Sequence, residues 1–429
     1  MLFHFGPGPD TSYRRVATVA MLVLSFTSAS AQHGIPLTIA EAEDLALAAE
    51  PGQAALRARA TSLEEQAVVA GALPDPMLRL GLNNYPIQSG GFTTEGMTNV
   101  GATYRQAFPR GDTRALGSLK FTRLADAQLQ EADARGKDVL AAARVAWLEL
   151  YYWSKARELI RESRPFFEDL VTITRSLYAV GRRNQQDVLR ADLELSRLDD
   201  RLIDIERQQL RGRAQLGEWI GDEAQRRVAV KLPQWDDAPP LEDLLAALRE
   251  HPALRAADAR IAAQDAGVEL AEQRSKPGWA LDVGYSYRDG SLPSGDPRSD
   301  FVTVGVTVDL PFFSRKSVDS TLSAALQDRS AARSDRERLQ RSLESRLNAE
   351  YARWQELSRR LALYEERILV QASDHAQAAL LAYQNDRGNF ADVMRGYIDD
   401  LNTRIDYVRL NVEREQAYAV LANLGGLPR

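Results

Sequence analysis

From Ser314 to Arg387 the chain contains neither glycine nor proline, the two residues that most cheaply end a helix. Within that stretch Leu339, Leu343, Leu347, Tyr351, Trp354, Leu357, Leu361, Tyr364 and Ile368 recur three or four residues apart, the spacing of one helical face. At 1.5 Å per residue such a helix spans roughly 100 Å, far more than the width of a globular domain of this size. The fold must therefore contain a rod or a bundle.

The rod is written twice. Tyr178-Ala-Val-Gly-Arg-Arg-Asn184-Gln-Gln-Asp187-Val188 is answered about 205 residues later by Tyr383-Gln-Asn-Asp-Arg-Gly-Asn389-Phe-Ala-Asp392-Val393. The same offset aligns Leu216–Gly221 with Leu421–Gly426. A period this long exceeds that of any solenoid, so each copy is a structural half. The halves are expected over 32–232 and 241–429, joined by a proline-flanked linker at 233–240, and each reads helix, two strands, long helix, helix. In the first, one helix is expected over 38–71, opened by the capping pattern Thr38-Ile-Ala-Glu41, then strands near 77–87 and 97–108, a helix over 113–180 bent near Pro165, and a helix over 185–220. In the second, a helix over 241–275 precedes strands near 279–288 and 301–310 and helices over 314–385 and 390–424.

The strands discriminate between fold classes. In Trp279–Arg288 the residues Trp279, Leu281, Val283, Tyr285 and Tyr287 alternate with Ala280, Asp282, Gly284, Ser286 and Arg288. In the next strand Val302, Val304, Val306 and Val308 alternate with Thr303, Gly305, Thr307 and Asp309. One face is apolar and the other polar. A soluble sheet seated on a core is one explanation. The other is a lipid-facing barrel wall around a wet lumen, with Trp279, Leu281, Val283, Tyr285, Val302, Val304, Val306 and Val308 towards lipid. Four strands cannot close a barrel, but several chains can.

Arg14-Arg15 followed by the apolar Val16–Phe26 and the small residues Ala29-Ser30-Ala31 has the layout of a secretory signal, assigned to residues 1–31. Its removal changes the net charge of −6 to −7 by taking away two arginines and Asp10. The chain has no cysteine, which leaves no disulfide framework, thiolate metal site or lipid-attachment thiol. No basic run points to nucleic acid. Hydrolase, phosphate-binding and zinc-protease motifs are missing and the four histidines are scattered, so no catalytic, cofactor or metal site is expected and an enzyme is not.

Polar residues recur in register only at the two helix-hairpin tips. Asp187 and Asp392 fall in the first turn of each returning helix, where an acid suits the dipole. If several chains surround a pore, each becomes a ring of carboxylates that attracts cations.

The signal, the duplicated helix–strand–strand–long helix–helix order and the tip pattern Tyr-x-x-Gly-x-x-x-x-x-Asp-Val resemble the TolC-like outer-membrane efflux proteins over about residues 38–426. Gly71–Met77, Met97–Pro109 and Val304–Pro311 look most like the heavy-metal branch. The resemblance implies a mainly α homotrimer whose twelve strands form an outer-membrane β-barrel and whose twelve helices form a periplasmic α-barrel. It implies a passive conduit for metal cations or small toxic compounds, driven by an inner-membrane pump through a periplasmic adaptor protein. Asp392 matches the family's aperture aspartate, and Tyr383 and Asp187 match residues that hold the periplasmic end closed. Arg395 replaces a second aperture acid, and Arg387 adjoins the place where some members carry a gating arginine. The alternative is an exported, soluble coiled-coil adaptor or scaffold.

Overall fold

The computed structural model describes residues 35–427, apart from 183, 234, 236, 312, 313 and 386, so the expected signal lies outside it. In the first half α1 (Ile39–Ala49) and α2 (Pro51–Gly71) lead to β1 (Met77–Asn83) and β2 (Asn99–Phe108), then to α3 (Thr113–Ala179) and α4 (Gln185–Ile220). After the linker the order recurs: α5 (Leu241–Leu248), α6 (Pro252–Glu272), β3 (Gly278–Tyr287), β4 (Phe301–Asp309), α7 (Arg315–Leu363), α8 (Leu369–Gln384) and α9 (Phe390–Gly425).

The single helices expected over 38–71 and 241–275 are each two. Both breaks use the same device. Pro51 and Pro252 occupy the first position of the following helix, where the missing N–H costs nothing and the ring excludes a helical continuation from before. The residue before each caps the new helix: the Glu50 carboxylate accepts from the Gly52 N–H at 2.8 Å, and His251 Nδ1 accepts from the Ala253 N–H at 3.3 Å. Thr38 caps α1, its hydroxyl accepting from the Glu41 N–H at 3.2 Å.

The long helices match in length. α3 runs 67 residues, and α7 continues into α8 through one π turn, Tyr364–Ile368. The bend expected at Pro165 does not interrupt α3. Next to it Phe167 is buried and Phe166 stacks on Tyr397 of α9 at 3.8 Å, so packing holds the helix across its missing hydrogen bond. Counted by the repeat offset, Pro165 falls within a few residues of the π turn. Both long helices thus lose a regular i→i+4 bond at nearly the same level of the rod.

α3 is the spine of the core. Trp147, Leu148, Ile160, Phe167 and Leu170 on it are buried with Leu216 of α4 and Phe390 and Val412 of α9. Trp147 Nε1 donates to the Leu37 carbonyl at 3.0 Å, and Leu37 bridges Val228 in parallel. The linker is tied to the same level. Trp235 stacks on Tyr418 at 5.1 Å, and the Arg144 guanidinium lies 5.2 Å over the Trp235 ring while Arg144 Nε meets Glu43 at 2.6 Å, both side chains buried.

The four strands form one antiparallel sheet in the order β1-β2-β3-β4, so the edges of β1 and β4 are unpaired within the chain. Among the described residues no helix packs along either face of the sheet. Among the described residues no helix is long and apolar enough to cross a membrane.

Candidate functional site

Register decides what each face of the sheet carries. Leu78 pairs with Tyr104, Tyr104 with Val283 and Val283 with Val304, and residues opposite each other share a face. One side therefore presents Leu78, Leu80 and Leu82, then Val100, Ala102, Tyr104 and Phe108, then Trp279, Leu281, Val283, Tyr285 and Tyr287, then Val302, Val304, Val306 and Val308. This side is bare. Leu80 is 71% exposed, Val302 72% and Val304 68%. Trp279 stacks on Phe108 at 4.1 Å at one end of the band, and Tyr285 and Tyr287 sit towards the other.

An exposed apolar surface of four strands is costly in water, at about 25 cal/mol for each Å². The soluble-sheet explanation needs a covering element, and none is found among the described residues. The contribution of β1 and β2 to this band was not read from the sequence. Leu78, Leu80 and Leu82 do alternate, but Ala102 and Gln106 interrupt the pattern in β2, and only the register aligns it with β3.

The opposite face is polar. Arg105 lies 3.8 Å from Asp282, and the Thr307 hydroxyl donates to the Asp282 carboxylate at 2.8 Å. Gly81 and Gly101 stand opposite one another on this face, and Gly284 and Gly305 lie in the same polar register on β3 and β4. The small side chains leave a smooth wall.

At the other end of the rod the two tips repeat the same backbone closure. The Arg182 N–H reaches the Leu177 carbonyl at 2.9 Å, and the Arg387 N–H reaches the Ala382 carbonyl at 2.8 Å, the six-to-one closure that ends a helix. Gly181, with φ at +72°, supplies the left-handed residue of the first closure. Asn184 and Asn389 precede the returning helices, and Asn389 Oδ1 accepts from the Asp392 N–H at 2.9 Å. Asp187 and Asp392 both stand in first turns and are partly exposed. Asp392 lies 3.7 Å from Arg395, an exposed pair one turn apart. Such a pair contributes little.

The tips differ in their aromatic residues. Tyr383 is buried in the hairpin with Val393 and Met394, its ring edge-on to Phe390 at 5.7 Å. Its counterpart Tyr178 is 48% exposed, and the place of Phe390 is taken by Gln185. Arg387 is exposed on the turn. No group of three or more histidine or acidic residues that could hold a metal ion occurs among the described residues.

Residues 244–427 match the outer membrane efflux protein family. No curated protein matches the sequence. Solved structures match along almost the whole chain. The outer-membrane channel OprN is 18% identical with a TM-score of 0.74, covering 91% of this chain and 90% of its own. CusC, described through its folding and transmembrane channel formation, is 14% identical with a TM-score of 0.76, over 90% and 92%. The outer membrane protein VceC from Vibrio cholerae is 17% identical with a TM-score of 0.74, over 90% and 96%. At these identities the structures speak to fold alone, and the fold is common to both halves. Nearly the whole second half thus matches the outer membrane efflux protein family in sequence, and the first half repeats the same elements in the same order.

Proposed function

We propose that this chain is the outer-membrane channel of a tripartite efflux system and not an enzyme. Three copies would join β4 of one to β1 of the next, giving twelve strands with no free edge. The long helices would then continue the barrel as a tunnel through the periplasm. The observation that carries this reading is the uncovered sheet, apolar on one face and polar on the other, at the end of a rod of about 100 Å. The sequence has no nucleotide-binding motif, and a conduit of this kind needs an inner-membrane pump for energy and a periplasmic adaptor to reach it.

The adaptor would dock near the tips, beside residues 178–187 and 383–392. Asp392 would form the narrowest ring of carboxylates, with Asp187 at the equivalent place of the first repeat. Tyr383 would hold the second tip in shape from within, and Arg387 and Arg395 would temper the ring's charge. The cargo is set by the pump, with metal cations and small toxic organic compounds as the two candidates.

Fractionation tests the reading directly. The chain should be recovered from the outer membrane only with detergent, and should run as a trimer. Recovery in the soluble periplasm would sink the channel and favour the coiled-coil adaptor. A deletion strain challenged with a panel of metals and drugs decides the cargo, and unchanged sensitivity to every metal rejects the metal assignment.

A further inference from the structure

Three connections converge where the sheet meets the helices: β2 to α3, α6 to β3, and β4 to α7. Between them lies a cleft of about 690 Å³. Arg105, Ala107, Ala280, Thr307 and Asp309 on its wall belong to the polar face, opposite in register to Trp279 and Val308.

The cleft carries an excess of positive charge. Arg105, Arg110 and Arg274 line it against one carboxylate, Asp309. Arg105 is shared with Asp282 at 3.8 Å, and Arg110 reaches Asp309 only at 3.9 Å. Arg110 Nη1 is held by the Arg274 carbonyl at 2.9 Å. Among the described residues Arg274 is met by a neutral group, the Thr321 hydroxyl, at 2.8 Å. Two glycines make room for this arrangement. A Cβ on Gly278 would lie 3.2 Å from Arg110 Cγ and 3.3 Å from Asp309 Oδ2. Gly111 has φ at +46°, and a Cβ there would overlap the side chains of Gln273 and Lys276. Lys276, beside Gly111, stands 3.9 Å from Asp112 and so has a carboxylate of its own.

Leu270 and Val318 give the lining an apolar part, and Thr113, Ser314 and Ser317 add hydroxyls. The volume falls within the range that holds a drug-sized molecule. A planar guanidinium without a carboxylate partner, beside apolar side chains, recognises carboxylate and sulfonate groups.

We propose that this cleft is a binding subsite for organic anions with an apolar body, placed on the conduit wall where barrel and tunnel join. The placement rests on the channel reading, in which the polar face lines the lumen. The binding itself does not. A local positive field here attracts anions and repels divalent cations, which weighs for the organic side of the cargo alternatives.

The test uses the detergent-solubilised full chain and two probes of the same body, naphthalene-2-sulfonate and 2-naphthylmethylammonium, in equilibrium dialysis. The sulfonate should bind saturably and the ammonium should not. Arg274→Gln should weaken sulfonate binding roughly tenfold, the loss of one charge-assisted contact, while Arg274→Lys retains most of it. Added salt should weaken it as well. Equal binding of both probes, or unchanged sulfonate binding in Arg274→Gln and in the double variant Arg110→Gln/Arg274→Gln, overturns the subsite. In planar bilayers the sulfonate should block parent current at its binding concentration, with the block relieved in Arg274→Gln. Saturable binding without block moves the site off the conduit wall and overturns its placement. A parent that carries no current refutes the channel reading, and the dialysis result then stands separately.

Discussion

Glu415 gives the clearest energetic prediction. Its side chain is buried on α9 beside the linker, 7% exposed, and burial pushes its carboxyl up to about 7. Arg414 at 3.6 Å works against that rise, and Asp237 on the linker adds to it. The folded state therefore holds the proton more tightly than the unfolded chain does. Below about pH 4.5 both states are protonated and burial carries no charge penalty. Between there and pH 7 the unfolded chain ionises first, so stability falls as pH rises. Above pH 7 the penalty is complete, and the difference between about 7 and the ordinary 4.5 corresponds to roughly 3 kcal/mol. Glu415→Gln is neutral throughout. It should melt with the parent near pH 4.5 and a few degrees above it at pH 8, with the gap opening across the interval between. Thermal unfolding of the detergent-solubilised protein at half-unit pH steps measures this, and hydrogen exchange along α9 localises it. If the gap is independent of pH, or if Glu415→Gln is the less stable protein at pH 8, the carboxyl is ionised and paired with Arg414, and the argument from burial fails.

Other predictions follow from the sheet, the core and the tip. Val304→Arg, on the apolar face, should cost about 2–4 kcal/mol in a lipid-facing position and prevent recovery of assembled trimer from the membrane, while Thr303→Arg on the polar face should assemble; the reverse pattern would exchange the faces. Glu43→Ala leaves Arg144 buried without its carboxylate and should destabilise the fold by about 3–5 kcal/mol, whereas the double change Glu43→Leu/Arg144→Met should restore most of that in the same melting assay. Asp392→Ala should reduce cation selectivity in single-channel recordings and Tyr383→Phe should raise basal conductance. Parent-like behaviour in both would leave these residues with structural roles alone.

Much of the architecture was legible because it is written in periods. The Gly- and Pro-free stretch after Ser314, the second copy of the tip pattern and the alternation of Val302 to Val308 each survive as one long helix, one repeated closure and one bare face. What escaped has local or tertiary causes. The breaks before Pro51 and Pro252 could have been read from proline at a helix start, but the flanking apolar periodicity masked them. Pro165 argues locally for a bend, and the packing of Phe166 and Phe167 overrides it. The π turn at Tyr364–Ile368 has no residue signature of its own. At the tips, spacing placed Asp187 and Asp392 in first turns, but equivalence in sequence hid a difference in environment. Tyr383 meets Phe390 where Tyr178 has only Gln185 nearby in register. The pairing of Arg144 with Glu43, and the basic cleft at the barrel foot, join residues far apart in the chain and have no linear signal.

The two halves also differ in how much of themselves they bury, and that difference bears on assembly. α3 contributes a long run of buried side chains to the core, from Gly117 to Thr174. α7, 49 residues long, buries only Leu347, Trp354, Leu357 and Leu361, and α8 only Ala376 and Tyr383. Most helical stability comes from packing an apolar face rather than from propensity, so a helix of this length cannot rest on so few contacts. Leu326, Leu363, Val370 and Leu381 remain exposed along α7 and α8, and Leu189, Leu193, Ile203 and Leu210 remain exposed along α4. These two flanks are what a neighbouring copy would cover in the proposed trimer, just as the free edges of β1 and β4 are what it would pair. Sheet and rod thus leave unfinished surfaces of matching kind on either side of the chain, and closure of the ring satisfies both at once. The first half supplies the rigid spine, and each half supplies one flank and one sheet edge that the proposed trimer would join.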